Sequence, residues 1–291
     1  VSEKLSFKDL WLTPTPNISN FIEGEAPKVS VFGVPFDATS TYRAGSRFAP
    51  NAIRDAFLNI EVYFRDLDVD LEKVCIEDLG NLKQTGSVQS MVVAVQKVTE
   101  ELLQQNKLPA ILGGEHTLTY ASYLATRGST LVVFDAHLDL RDEFADMRLS
   151  HATYLRRLLE EVDAEVIVVG ARAASKEEWE FAEKKKVKVI SPPSEDRSLQ
   201  DYVKMVRSNI GQRSVYVSID LDVVDPAYAP AVGNPEPGGL TSRELLTILG
   251  ALRGCRFVGF DVVELDPLLD SGASAALAAK VFALLIALAS K

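Results

Sequence analysis

Short runs of branched apolar residues recur along the chain, separated by longer stretches in which apolar positions return every three or four residues. The runs Lys28–Gly33, Val74–Asp78, Pro109–Leu112, Thr130–Asp135, Glu165–Gly170, Val187–Ile190, Val215–Asp220 and Phe257–Val262 predict strands. Between them, positions such as Val88, Met91, Val92, Val95 and Leu102 share one face of a helix. This alternation predicts an α/β fold, a three-layer α/β/α sandwich around a mostly parallel sheet. Neither a repeat, a low-complexity tract nor a linker interrupts it, so residues 1–291 read as a single domain.

In such sheets ligands gather beyond the carboxyl ends of the strands. Polar residues are concentrated there: His116, Asp135 to Asp139, Asp220 to Asp222 and Glu264 all follow or end apolar runs. Two loops rich in turn residues, 36–50 and 225–239, lead into helices predicted to begin near Asn51 and Ser242. Long loops on a rigid scaffold carry substrate contacts, and both are expected to roof the site.

The stretch Ala273 to Ala289 is almost wholly apolar and close to the length of a membrane span. Lys280 near its centre and its alanine-rich composition predict a buried closing helix instead. The stretch from Val1 to Pro14 mixes charges with apolar residues and lacks the apolar core of a signal peptide. Cys75 and Cys255, the two cysteines, lie in apolar surroundings and read as reduced core thiols of a cytoplasmic protein. With 41 acidic against 31 basic residues the formal charge is −10. That balance argues against nucleic acid as a partner and suits a small cationic substrate.

The histidines change the picture most. All three lie in short polar motifs: Gly113-Gly114-Glu115-His116, Asp135-Ala136-His137-Leu138-Asp139 and Ser150-His151-Ala152-Thr153. A second carboxylate pair, Asp220 and Asp222, closes another apolar run. Alternate residues of a strand share a face, so four aspartates and two histidines are offered to one small volume. Those charges cannot stay together without something positive between them. Six ligands exceed what one ion with an open position needs and suit a pair of ions; imidazole with carboxylate fits Mn²⁺, Fe²⁺, Co²⁺ or Zn²⁺, and the majority of hard oxygens tilts the choice toward Mn²⁺. A lone Asp-x-His motif is no more than a solvated turn; three motifs, each after an apolar strand, read as one site. His151 stands outside the three stretches that supply these six ligands, around His116, Asp135 to Asp139 and Asp220 to Asp222, and is a structural residue, a further ligand or a proton shuttle. Glu264 is either a capping or ion-pair residue or the partner of a cationic substrate group, and a planar guanidinium would bind it through two parallel hydrogen bonds.

The set Gly-Gly-Glu-His, Asp-Ala-His-x-Asp, Ser-x-Asp-x-Asp-x-x-Asp-Pro and Asp-Val-Val-Glu resembles the ureohydrolases, the arginase and agmatinase family of dinuclear manganese enzymes. The resemblance runs from Gly33 to the last helix. It is strongest to agmatinases, through Thr41 to Phe48, Leu140 to Phe144 with Leu149 to Ala152, and Asp225 to Pro230 with Gly238 to Glu244. The Ser-Gly-Asn stretch with which arginases hold an amino-acid head group is missing after Asp139.

The resemblance implies that His116, Asp135, Asp139 and Asp220 surround one manganese, that His137 and Asp222 hold another, and that Asp135 and Asp220 bridge. It further implies that Glu264 anchors a guanidinium, that His151 transfers protons, that Asp139 serves the leaving amine, and that Thr241 is a substrate contact. The implied reaction is the hydrolysis of a guanidino compound, agmatine first among them, with aminopropylagmatine, guanidinobutyrate and arginine as alternatives. A trimer or hexamer is implied on the same basis. Ala44 stands where the family usually has proline, Asn234 where threonine is common and Ala152 where several members have glycine, all in loops that shape the substrate pocket. A dinuclear metallophosphoesterase would need an Asn-His pair, which this chain lacks. A metal-binding homologue without turnover would not need the complete set.

Overall fold

The computed structural model describes residues 7–13, 15, 17–193 and 198–291; the first six residues and Pro14 of the amino-terminal stretch read above lie outside them. In chain order the strands are β1 (Leu12–Thr13), β2 (Val29–Gly33), β3 (Tyr63–Phe64), β4 (Val69–Asp70), β5 (Ile76–Leu82), β6 (Leu108–Leu112), β7 (Thr130–Phe134), β8 (Val166–Val169), β9 (Lys188–Ile190), β10 (Ser214–Asp220) and β11 (Arg256–Val263). Nine of them form one sheet in the order β1-β5-β2-β6-β11-β10-β7-β8-β9, while β3 and β4 pair as a separate ribbon. All neighbours in the large sheet are parallel except β1, which closes one edge antiparallel to β5. The eight predicted strands are therefore present, and β5 continues past Asp78 to Leu82. The short strands β1, β3 and β4 carry no apolar run of their own and were not predicted.

The helices are α1 (Phe7–Trp11), α2 (Ala49–Phe57), α3 (Val88–Gln104), α4 (Leu118–Ala125), α5 (Tyr154–Glu161), α6 (Lys176–Lys185), α7 (Leu199–Ile210), α8 (Ser242–Leu249) and α9 (Ala273–Ala289). Period-two alternation sends Val132 and Phe134 of β7 into one core with α2, α7, α8 and α9, and Leu131 and Val133 into a second core with α3, α4, α5 and α6. The outcome is the expected three-layer α/β/α architecture. Parallel strands covered on both faces explain why the strand sequences are apolar throughout rather than alternating.

The closing helix α9 spans the predicted residues and is buried along most of its length. Lys280 escapes the core by donating to the Glu61 carbonyl at 2.7 Å, its ammonium 4.5 Å from the Phe64 ring centroid. Among the described residues no helix is long and apolar enough to cross a membrane. Both cysteines are free; Cys75 is buried, whereas Cys255 is only partly covered at the start of β11. A buried ion pair fixes α2 against the sheet. Arg54 donates in bidentate fashion to Asp78, 2.8 Å for each bond, and to Asn81 Oδ1 at 2.6 Å.

Candidate active site

Four neighbouring strands, β6, β11, β10 and β7, end on the same side of the sheet, and their carboxyl ends deliver the polar residues. After β6 the chain must turn sharply beneath the first loop. A side chain on Gly114 would put its Cβ 2.0 Å from the Phe36 carbonyl oxygen, so glycine is required there. The turn presents His116, whose ring is buried. β7 runs into Asp135, His137 and Asp139; β10 ends at Asp220, and the single turn after it carries Asp222. Asp139 and Glu264 both adopt the left-handed region, at φ 51° and 64°. That conformation is costly for a side-chain-bearing residue and is tolerated where surrounding contacts impose it.

Two imidazole-carboxylate groups result, His116 with Asp135 and Asp220, and His137 with Asp135 and Asp222. His116 Nδ1 lies 3.1 Å from Asp135 Oδ2, 3.1 Å from Asp220 Oδ2 and 3.4 Å from Asp139 Oδ2. His137 Nδ1 lies 2.9 Å from Asp222 Oδ2 and 3.6 Å from Asp135 Oδ1. The two oxygens of Asp135 thus face different imidazoles, as a bridging carboxylate requires. Asp220 turns one oxygen to His116 while the other accepts the Asp222 amide at 2.8 Å, which places it with the first group.

The chemistry of these residues fits divalent cations. His116 Nδ1 is buried without a hydrogen-bond partner, although three carboxylates surround it. Its other nitrogen, Nε2, lies 2.9 Å from Ser218 Oγ and 3.0 Å from Tyr154 Oη. Ser218 Oγ in turn donates to Asp261 Oδ1 at 2.5 Å, so it is free to accept from Nε2. That chain keeps the proton on Nε2 and turns the Nδ1 lone pair toward the carboxylates, the tautomer a metal ligand needs. Oxygen and nitrogen ligands with bonds of about 2.1 Å to one ion stand about 3 Å apart at right angles, which matches the separations of His116 from Asp135 and Asp220 and of His137 from Asp222.

The electrostatics agree. Burial is the largest influence on Asp220, followed by Asp222 and Asp135, and together they push its carboxyl well above the usual range. Burial and Asp135 do the same to Asp139. Burial opposes protonation of His116, but Asp135, Asp139 and Asp261 outweigh it and carry the imidazole up to about 9. A cluster that must hold protons to relieve its charge is one in which cations can replace those protons.

The cluster opens into a cavity of about 520 Å³ whose wall includes His151, Glu264 and, from the two roofing loops, Thr41 and Asn234. His151 lies outside both imidazole-carboxylate groups. Its Nε2 is 3.2 Å from Thr41 Oγ1, and its amide donates to Thr39 Oγ1 at 3.0 Å. Burial lowers its imidazole to about 4, so it is neutral at pH 7. Glu264 accepts the His116 amide at 2.6 Å through Oε1, and burial first, then the Glu115 charge, raises its carboxyl to about 8.

Thr241 does not join this group. Its hydroxyl caps α8 by accepting the Glu244 amide at 3.1 Å, and Glu244 accepts the Thr241 amide at 2.8 Å in return. A Thr-x-x-Glu spacing ahead of an apolar run carries this signal in the sequence. Other residues that shape the site were not singled out. Glu115, fully buried, accepts the Thr39 amide at 2.7 Å and also its hydroxyl, tying the first loop to the His116 turn. Asp261 is an acid within an apolar strand, which is a detectable anomaly. Tyr154 leaves no such trace, because its partner His116 is distant in sequence.

The arginase family's sequence profile matches residues 27–287. The chain is 37% identical to the agmatinase of Pyrococcus horikoshii over 239 residues, covering 81% of this chain and 83% of that protein. It is 36% identical to the N(1)-aminopropylagmatine ureohydrolase of Thermococcus kodakarensis over 247 residues, 84% of each. The crystal structure of agmatine ureohydrolase from Thermoplasma volcanium superposes with a TM-score of 0.82 at 36% identity, covering 91% of this chain and 90% of the other.

Proposed function

This chain belongs to the arginase family and is a hydrolase of linear amidine carbon–nitrogen bonds, and on that premise we propose that it converts agmatine to putrescine and urea with two Mn²⁺ ions. The observation that carries this reading is the pair of imidazole-carboxylate groups sharing Asp135 at the floor of a cavity whose wall holds Glu264. His116, Asp135, Asp139 and Asp220 would hold one ion, and His137 and Asp222 with the shared Asp135 would hold the other. Ions bound there acidify a water toward neutral pKa and offset the negative charge of the reacting centre.

The residues of the chain supply the rest. Glu264 offers a desolvated carboxylate to the substrate guanidinium, and one of its oxygens is already fixed on the His116 amide. That contact orients the guanidinium carbon for attack by water. As the carbon–nitrogen bond to the alkyl chain breaks, the departing nitrogen takes a proton by way of Asp139 or His151. A neutral His151 accepts the water's proton first and returns it to the amine; Thr41 contacts its ring and Thr39 holds its backbone amide. We read the whole chain as one ureohydrolase unit acting in the cytoplasm.

The test is a panel of agmatine, aminopropylagmatine, guanidinobutyrate and arginine assayed for urea with manganese-loaded protein. Agmatine should lead arginine by at least about tenfold in kcat/KM, which corresponds to roughly 1.4 kcal/mol. Preference for arginine or for the acidic guanidinobutyrate would contradict the reading.

A further inference from the structure

Six acidic side chains line the cavity, and five have partners. Asp139, Asp220 and Asp222 face the imidazoles, and Glu264 accepts the His116 amide. Glu178 accepts the Leu140 amide at 3.1 Å and the Ser175 amide and hydroxyl at 2.8 Å each, and it lies 3.5 Å from Arg141 Nε. Glu236 is the sixth. Among the described residues its carboxylate accepts no hydrogen bond and meets no cation.

The backbone that carries this carboxylate is held firmly. Arg172 donates all five of its N–H groups to main-chain carbonyls: Pro237 at 3.2 Å, Gly170 and Val223 at 3.2 Å each, Asp222 at 2.9 Å and Glu236 at 2.6 Å. One guanidinium thereby clamps the Glu236-Pro237 segment onto the turn that carries Asp222. A Cβ on Gly239 would lie 2.5 Å from Arg172 Nη2, so glycine keeps room for the clamp. The cations on the wall are already engaged, Arg172 by carbonyls and Arg141 by Glu178 and the Phe144 ring, whose centroid is 5.0 Å away. A substrate carboxylate would have to compete with these contacts, whereas an ammonium would find a free carboxylate.

We propose that Glu236 reads the far end of the substrate, pairing with the terminal ammonium of a guanidino amine while its guanidinium lies on Glu264. The proposal rests on the guanidino-hydrolase reading above and specifies what that site selects. Arg172 is the positioning residue that holds Glu236 over the cavity.

The decisive comparison is between agmatine and n-butylguanidine, which has the same chain without the amine, on manganese-loaded wild type and Glu236→Gln. The preference of wild type for agmatine should fall at least about fivefold in the variant, mainly through KM. Glu236→Asp, which keeps the charge, should recover part of it. Added salt should erode the preference in wild type and leave it flat in Glu236→Gln. An unchanged preference, or equal losses on both compounds, overturns the proposal. If wild type releases urea from neither compound, the functional reading fails on its own. The ratio of calorimetric Kd values for the same two compounds then decides: a fivefold fall in Glu236→Gln supports the role of Glu236, and an unchanged ratio or no binding overturns it.

Discussion

Glu264 holds its carboxylate in a left-handed backbone conformation, φ 64°, beyond the end of β11 and out of contact with any cationic side chain among the described residues. Buried there with no paired cation, the carboxyl is costly to ionise, which agrees with its rise to about 8. Its persistence makes sense if a cation arrives with the substrate. Glu264→Gln keeps the shape and an oxygen for the His116 amide but removes the charge. Losing one partner of a buried charged pair costs about 2 to 5 kcal/mol, so kcat/KM should fall more than about thirtyfold. Manganese content and melting temperature should stay near wild type; a normal kcat/KM with lowered melting temperature would make Glu264 a structural residue instead. His151 gives a pH signature. Burial lowers its folded pKa to about 4 from an ordinary value of 6.5, so the unfolded chain binds more protons between those values. Its contribution to stability is complete above about pH 6.5 and is lost as pH falls toward about 4. The melting-temperature gap between wild type and His151→Asn should therefore shift in favour of the variant from pH 7 to pH 5, and a gap independent of pH would contradict this.

At the scale of elements, four adjacent strand ends place the ligands, and the order of those strands makes them converge. The strands and their terminal acids were legible because a parallel strand covered on both faces is an unbroken apolar run, and a charged residue that ends it is conspicuous. The strand order was not legible. That β11 and β10 lie between β6 and β7 follows from long-range pairing, with no local residue pattern to announce it. The same holds for contacts such as Arg172 to the Asp222 carbonyl and Glu115 to Thr39, which join segments far apart in sequence. Thr241 shows the converse: its Thr-x-x-Glu spacing announces a helix cap locally, and the structure places it as the cap of α8. The Arg54–Asp78 pair tests how firmly α2, which follows the first roofing loop, is attached to the sheet. Arg54→Leu should strand Asp78 as an unpaired buried charge and cost about 3 to 5 kcal/mol, read as a lower denaturation midpoint. A loss under about 1 kcal/mol would mean that the pair is dispensable.

For the whole molecule, a net charge of −10 and a cavity walled by carboxylates attract small cations, both metal and substrate. The fold positions two imidazoles and four aspartates so closely that they cannot all ionise without bound cations. Chelation should therefore lower the melting temperature as well as abolish turnover, because ions that bind only the folded chain stabilise it. The central claim, a guanidino hydrolysis that needs both ion positions, comes down to one titration. Metal-stripped protein is given Mn²⁺ in measured increments while bound manganese and urea release from agmatine are followed together. Activity should rise to its plateau as occupancy reaches two ions per chain, and Asp135→Ala, which removes the shared carboxylate, should abolish that rise. Full urea release at one ion per chain, or none at two, would contradict the account.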